Sequence, residues 1–201
     1  MHLYTTSASP NGKRVAVAMK EKSIDIPMTQ IDLMGAENLG KEYLAKNPMG
    51  RVPVLELDSG FMLAESVAIS RYLEILAPEP NLFGDDPEAQ CVVEMWHRRA
   101  EINLFIPVAQ AYRNSSGVFK DREPVSAEWA EISAGFARDA VPVFEQQLAS
   151  NEYIAGDRYS IADITLAITL TFARNTGLDL LSTPNIASWH ERITARPSFK
   201  K

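Results

Sequence analysis

The sequence predicts an α/β domain followed by an all-α domain. Patterns typical of strands and helices alternate over residues 1–76. The next stretch, 77–87, reads APEPNLFGDDP and is rich in proline, glycine and aspartate, which is typical of a linker. No strand pattern follows it, and the remaining residues 88–201 show helical periodicity. We therefore assign 1–76 to the α/β domain, 77–87 to the linker and 88–201 to the helical domain.

The first half of the N-terminal domain carries two strand patterns and two helix patterns. In order, they are a strand at 2–5, a helix at about 13–22, a strand at 24–31 and a short irregular helix within 35–44. The strand at 24–31 contains Pro27, which restricts it to a sheet edge or a bulge. The helix at 13–22 places Val15, Ala18 and Met19 on one face.

The second half of this domain, NPMGRVPVLELDSGFMLAESVAISRYLEIL at 47–76, predicts a β-hairpin followed by a helix. Strand patterns at 54–57 and 61–63 flank the turn sequence Asp-Ser-Gly. Ser66 is the expected N-cap of the helix, whose apolar side is predicted to carry Ile69, Tyr72, Leu73 and Leu76. The unpaired N–H groups at its start would suit an anion. The complete order, β-α-β-α-β-β-α, predicts a thioredoxin-like α/β layer.

The C-terminal domain is predicted to contain long helices interrupted by prolines. Pro107 should kink or break a helix at 88–113, and Pro142 should interrupt a second one that begins at Ser126. A final helix starts at Thr183. The inward-facing residues expected in the first helix are Val92, Met95, Trp96, Leu104 and Val108.

The segment Tyr159-Ser160-Ile161-Ala162-Asp163 has the pattern of a capping box at a helix start. Ser160 can cap the Asp163 N–H, and Asp163 can bond back to the Ser160 N–H. Such a cap contributes about 1 kcal/mol, so we assign it to folding and not to catalysis.

Composition excludes several classes of function. A net charge of −6 over 201 residues argues against nucleic acid and acidic membrane surfaces as partners. The single cysteine, Cys91, excludes an internal disulfide and fits a reducing compartment; it is expected to be a small buried hydrophobe. The amino terminus lacks a signal-peptide pattern, so we expect a cytoplasmic protein. His2, His97 and His190 lack ligand partners at workable spacing, so no metal is predicted.

Two motifs resemble the cytosolic glutathione transferases. The pattern N-P-x-G-x-V-P-x-L, followed by Glu-Ser at a helix start, is similar to their glutathione-binding half, and GDRYSIADI is similar to the capping box of their buried central helix. The resemblance spans Leu3 to Pro197. It implies that Val52–Pro53 is cis, although only about 5–6% of X–Pro bonds are. It also implies that Val52 pairs its backbone with the cysteinyl unit of glutathione, and that Glu65 and Ser66 hold the γ-glutamyl end.

A glutathione enzyme must hold a thiolate near neutral pH, whereas a free thiol has a pKa of about 8.5. Lowering that pKa by about 2 units needs roughly 2.7 kcal/mol, which one hydrogen bond to the sulfur, at about 1.5–3 kcal/mol, can supply.

The loop between the first strand and the first helix offers three donors, namely Ser7, Ser9 and the Asn11 amide. The run S-P-N-G-x-R-V resembles the loop of nu-class bacterial transferases and of yeast nitrogen-regulator-type homologues, which places Ser9 at the active threonine and Asn11 at a thiol-contacting asparagine. Ser9 is preferred; Ser7, Asn11 and turn-forming roles stay open. Tyr4 ranks low, because it lies on a strand.

The same relatives place further residues near the two substrates. Asn38 and Arg51 align with positions near glutathione, and Arg51 or Lys41 could bind the glycyl carboxylate. Phe105, Tyr112 and Arg113 are candidate walls for a small hydrophobic electrophile, between the serine loop and the first long helix; Phe105 could equally be core.

The predicted function is a homodimeric glutathione transferase that takes glutathione as co-substrate. The alternatives are a glutathione-dependent disulfide reductase or peroxidase, and a non-catalytic glutathione-binding regulatory module. The yeast-type relatives carry alanine where this chain has Ser9, which favours catalysis here.

Overall fold

The computed structural model describes residues 1–200; Lys201, the last residue of the predicted helical domain, lies outside them. The described residues group into two compact units, 1–81 and 82–200. The first is a thioredoxin-like α/β layer and the second is all-helical, which confirms the predicted fold class.

Unit 1 is built on a four-stranded sheet with strand order β2-β1-β3-β4. The strands are β1 (His2–Thr5), β2 (Met28–Gln30), β3 (Val54–Glu56) and β4 (Met62–Ala64). β1 pairs parallel with β2 and antiparallel with β3, and β3 pairs antiparallel with β4. The helical segments are α1 (Pro10–Glu21), a 3-10 turn (Glu37–Leu39), α2 (Lys41–Leu44) and α3 (Ser66–Leu76).

Alternation of side chains along the strands divides the apolar residues of unit 1 between the two faces of the sheet. Leu3 and Leu55 pack with residues of α1 and α3, such as Val15 and Ile69. Val54 packs on a second cluster that includes Tyr43 of α2. The sheet is therefore covered on both sides, as the β-α-β-α-β-β-α order predicts.

Several predicted boundaries in unit 1 are wrong. α1 begins at Pro10, earlier than expected, because Pro10 occupies the first turn, where its missing N–H costs nothing. β2 is only Met28–Gln30, so the residues before Pro27 are not strand. Ser66 is the first helical residue of α3 and Glu65 is the N-cap. Leu76, the last residue of α3, is 47% exposed, so it does not share the buried side of the helix with Ile69 and Leu73.

A buried lysine joins the ends of α1 and α3. The Lys22 side chain is 1% exposed and forms an ion pair with Glu74 of α3. Its ammonium also donates to the carbonyl oxygens of Pro80, at 2.5 Å, and Pro78, at 3.4 Å. Three acceptors thus satisfy the three N–H bonds of this ammonium, which offsets the cost of burying the charge.

Unit 2 consists of helices around a central one that is buried over most of its length. They are α4 (Pro87–Ala100), a π-helical turn (Glu101–Phe105), α5 (Ile106–Ser116), α6 (Ala127–Leu148), α7 (Ile161–Asn175), α8 (Pro184–Thr194) and a final 3-10 turn (Pro197–Phe199). Every residue of α7 from Ile161 to Leu170 is buried. Among residues 1–200, no helix combines the length and the apolar character that crossing a membrane requires.

The two prolines predicted to interrupt helices of unit 2 behave differently. The helix departs from α geometry at Glu101–Phe105, a segment that includes Asn103. In a regular helix, the ring of Pro107 would clash with the carbonyl of Asn103, which lies four residues earlier. The predicted break is present, but it precedes the proline. The predicted interruption at Pro142 is wrong: α6 runs unbroken through it, packed along Ala137, Val141 and Phe144.

Two expectations for α4 are also corrected. Met95 was expected to face inward but is 40% exposed, since the neighbouring Trp96 occupies the core side. Cys91, expected to be buried, is exposed.

The predicted capping box at the start of α7 is confirmed. One Asp163 carboxylate oxygen accepts from the Ser160 N–H and hydroxyl, both at 3.0 Å. The other accepts from the Ile154 N–H at 2.9 Å and the Trp189 indole N–H at 3.1 Å. Burial raises the pKa of Asp163 to about 6, while these hydrogen bonds oppose the rise. Because four donors face its two oxygens, the site favours the ionised carboxylate.

Glu145 of α6 caps α8, since Thr183, its N-cap residue, forms no side-chain cap. The Glu145 carboxylate accepts from the Asn185 N–H at 3.0 Å, the Asn185 side-chain amide at 2.7 Å and the Ile186 N–H at 2.9 Å. Burial would raise the pKa of Glu145, but these donors outweigh it and lower the pKa below its ordinary value.

Glu145→Gln is expected to reduce the unfolding free energy by about 1 kcal/mol at pH 7, the usual loss for a helix cap. Because the folded-state pKa is lowered, this stability is present above the unfolded pKa and is lost as pH falls through the folded one. Urea unfolding at pH 7 and pH 4 measures how much unfolding free energy is lost on acidification, and this loss should be smaller in the variant than in wild type. Glu131→Gln, on the exposed side of α6, is the control; an equal effect there would contradict the assignment.

Candidate active site

Ser9 is the N-cap of α1 and lies partly buried. Its hydroxyl oxygen accepts from the Gly12 N–H at 3.3 Å, and no other residue among 1–200 takes the hydroxyl proton. Gly12 is required by close approach, since a Cβ there would lie 2.5 Å from the Thr5 hydroxyl and 2.6 Å from the Thr6 carbonyl oxygen. The end of β1 thus fixes the first turn of α1 and presents a hydroxyl that can still donate.

The alternative loop donors are placed differently. Ser7 is exposed, and its backbone N–H donates to the Gln30 side chain at 3.0 Å. The side-chain oxygen of Asn11 accepts from the Ser66 hydroxyl at 3.4 Å. Tyr4 donates to Glu56 at 2.8 Å, so its hydroxyl proton is already used within the sheet.

A buried arginine, which the sequence analysis missed, joins α1 to the start of α3. Arg14 is 2% exposed and donates to the Ser66 hydroxyl at 2.8 Å. A guanidinium is permanently charged, so a positive charge lies one hydroxyl away from the N-terminus of α3. Helical periodicity places Arg14 on the same side of α1 as the buried Val17 and Ala18, and this spacing could have indicated its burial.

The head of α3 has the features of an anion site. The N–H groups of Ser66, Val67 and Ala68 precede the first intrahelical bond, which runs from the Ile69 N–H to the Glu65 carbonyl. Glu65 has a φ of 68° and makes no cap with its exposed side chain. Non-glycine residues rarely hold such a φ, and those that do concentrate at functional sites.

Val52 lies beside the cis Val52–Pro53 bond, two residues before β3 begins. It is 8% exposed, yet within residues 1–200 its N–H and C=O take part in no hydrogen bond. Buried main-chain groups are nearly always paired. An extended peptide passing this point could satisfy both groups.

The other predicted glutathione residues surround this loop. Asn38 is buried and donates to the Gly50 carbonyl at 2.7 Å, so it shapes the loop. Lys41, at the start of α2, and Arg51 are exposed.

In unit 2, the candidate second-substrate residues fall into two groups. Phe105 and Tyr112 are partly buried against Phe172, with ring centroids 6.5 Å and 5.4 Å away. Arg113 instead forms a bidentate ion pair with Glu123 and stacks on Phe119 at 4.6 Å. The structure therefore brings Phe105 and Tyr112 together through Phe172, which the sequence analysis did not single out, and turns Arg113 to a separate contact.

No metal-binding cluster is formed by the His, Cys, Asp and Glu side chains of residues 1–200. His2 instead contacts Thr29 at 2.8 Å and His190 contacts Thr171 at 2.9 Å.

Comparison with known proteins gives one consistent result. Residues 3–81 match the glutathione S-transferase N-terminal domain, and residues 109–197 match the glutathione S-transferase C-terminal domain. The chain is 35% identical to glutathione S-transferase 2 of Saccharomyces cerevisiae, over 100% of this chain and 88% of the yeast protein.

Two solved structures are also similar. One is a glutathione S-transferase domain-containing protein of Marinobacter aquaeolei, with a TM-score of 0.94, 34% identity and 100% coverage of both chains. The other is a class Gtt2 glutathione S-transferase of Vibrio parahaemolyticus, with a TM-score of 0.89, 36% identity, and coverage of 100% of this chain and 96% of that one.

Proposed function

The chain belongs to the cytosolic glutathione S-transferase family and is a glutathione transferase, and we propose that it activates the glutathione thiol for attack on small hydrophobic electrophiles. The observation that carries this proposal is the unpaired main chain of Val52, 8% exposed, beside the family's cis proline. The cysteinyl unit of glutathione has one N–H and one C=O. These can pair with the Val52 C=O and N–H in the manner of strand addition.

The γ-glutamyl end is assigned to the head of α3. Its α-carboxylate suits the unpaired N–H groups and the hydroxyl of Ser66, beside the Arg14 charge, because a helix N-terminus favours anions. Its α-ammonium suits the exposed Glu65 carboxylate, which no other residue among 1–200 engages. At the opposite end of the peptide, Arg51 and Lys41 are the candidates for the glycyl carboxylate.

Ser9 is assigned to the sulfur. Its oxygen already accepts from Gly12, so the hydroxyl is oriented and its proton points away from that bond. Donating this proton to a thiolate favours the anion by about 1.5–3 kcal/mol. Ser7 and Asn11 are the alternative donors; Asn11 would act through its N–H₂ group, since its oxygen faces Ser66.

The electrophile is assigned to the aromatic rings of Phe105 and Tyr112, which present apolar surface supported by Phe172. Arg113 is a weaker candidate, because Glu123 already holds its guanidinium.

Homodimer formation is proposed from family membership, and one surface supports it. Trp129, Ile132 and Phe136 lie on one side of α6 and are 44%, 41% and 53% exposed. Apolar side chains grouped in this way mark interaction sites. Light scattering at micromolar concentration would give the mass in solution.

Calorimetry with glutathione, followed by assays of conjugation to a panel of electrophiles, tests the proposed function. We expect saturable binding and conjugation. Reduction of a model disulfide or an organic peroxide without conjugation would make the protein a reductase or peroxidase instead. Binding without any turnover would make it a regulatory module, and no binding at all would overturn the proposal.

A further inference from the structure

We infer that Tyr43 and Asn47 are positioning residues for glutathione, because together they aim the main chain of Val52. This inference rests on the proposed function, and it adds residues that do not themselves touch the substrate.

Both side chains hold the same atom. The Tyr43 hydroxyl and the Asn47 side-chain N–H each donate to the Arg51 carbonyl oxygen at 2.8 Å. Both residues are buried, with 3% and 4% of their surface exposed. A carbonyl oxygen has two lone pairs, so these donors use its full capacity and fix its direction.

The direction of the Val52 N–H follows from this anchor. The Arg51–Val52 peptide is trans and planar, so its C=O and N–H point in opposite directions. With the carbonyl turned toward α2, the Val52 N–H is turned away from α2. This is the group that we assign to the cysteinyl carbonyl of glutathione.

The anchor does not depend on a variable protonation state. Burial, and then the charge of Glu37, raise the pKa of Tyr43 far above its ordinary value, so the phenol keeps its proton. The orientation of the Asn47 amide is set because its oxygen accepts from the Met49 N–H at 3.1 Å, which leaves the N–H₂ group for Arg51.

Neighbouring contacts keep the loop from moving as a whole. Asn38 donates to the Gly50 carbonyl at 2.7 Å, and the Gly50 N–H donates to the Asn47 carbonyl at 2.9 Å. Gly50 has a φ of 59°, which favours glycine, and an added Cβ would lie 3.0 Å from the Leu39 side chain.

The test uses Tyr43→Phe, Asn47→Asp and the double variant in the 201-residue chain. Asn47→Asp keeps the acceptor for Met49 and removes the donor to Arg51. Since each single variant leaves one donor in place, we expect the dissociation constant and KM for glutathione to rise about 2–3-fold in each. The double variant should lose at least about 10-fold, more than the product of the singles, as for residues that share a partner. kcat at saturating glutathione and KM for the electrophile should stay within about 2-fold of wild type. The thiol pKa of bound glutathione should shift by no more than the equivalent of about a 2-fold change in the thiol dissociation constant.

Tyr72→Phe removes a hydroxyl from α3, away from this loop, and is the matched control. Melting temperatures of all variants separate folding from binding. If the double variant does not fold, hydrogen exchange at the Val52 amide is measured in the two single variants. The protection that this amide gains when glutathione is added should be smaller in both variants than in wild type. Lower melting temperatures with unchanged glutathione affinity would overturn the inference and leave the proposed function standing. A wild type that binds no glutathione would overturn both.

Discussion

Ser9→Ala is expected to raise the thiol pKa of bound glutathione by about 1–2 units, which corresponds to losing one hydrogen bond to a charged group. At a fixed pH below the new pKa, this rise lowers the fraction of bound glutathione that is thiolate. Conjugation near pH 6.5 should therefore decrease about 10–100-fold. Glutathione affinity should change little, since the peptide is held by Val52, Glu65 and Ser66 in our assignment. Thiolate absorbance of the complex across a pH titration measures the pKa directly.

The control variants are chosen from the same loop. Ser9→Thr retains the hydroxyl and should retain the low pKa, whereas Ser7→Ala and Asn11→Ala should leave it unchanged. Ser9→Ala also removes the cap to the Gly12 N–H, at a cost of about 1 kcal/mol of stability, so activity is compared at temperatures where both proteins are fully folded. If the pKa shifts in Ser7→Ala or Asn11→Ala and not in Ser9→Ala, the assigned donor is wrong.

Asp163→Asn is expected to give the largest loss of stability. The amide replaces one carboxylate oxygen by an N–H₂ group, which then faces N–H or O–H donors in a fully buried site. Leaving such donors unpaired costs about 1–3 kcal/mol each, so we expect the unfolding free energy to drop by more than about 3 kcal/mol.

Urea unfolding followed by circular dichroism measures this loss. Asp139→Asn, an exposed aspartate on α6, is the matched control and should stay within about 0.5 kcal/mol of wild type. The Asp163→Asn protein, studied at a temperature where it remains folded, should keep its glutathione affinity, because Asp163 has no part in the proposed site. A loss below about 1 kcal/mol would show that the ionised acceptor is dispensable.

Much of the fold was predictable because local signals were unambiguous. The order of strands and helices and the capping box at Ser160 and Asp163 both depend on residues within a few positions of one another. The errors came from features decided by packing. Nothing near Pro142 indicates that α6 continues through it, and the exposure of Met95 and Cys91 depends on which side of α4 meets the core.

The candidate site divides in the same way. Ser9, Val52, Glu65 and Ser66 stand in short motifs that can be recognised by resemblance. Arg14, Tyr43 and Asn47 act through contacts that join separate segments. The Arg14–Ser66 hydrogen bond links α1 to α3. Tyr43 and Asn47 donate to the main-chain oxygen of Arg51, and since every residue has such an oxygen, the sequence does not indicate this contact.

The enclosed ammonium of Lys22 also provides an internal reporter of unfolding. Acylating reagents require a free, accessible amine, and this side chain is 1% exposed, whereas Lys13, Lys20 and Lys41 are exposed. Its modification must therefore wait until unit 1 opens, so the labelling rate of this one position follows the opening equilibrium of that unit. Mass spectrometry of the acylated peptides could then read the stability of the N-terminal unit separately from that of the helical one, without any engineered probe.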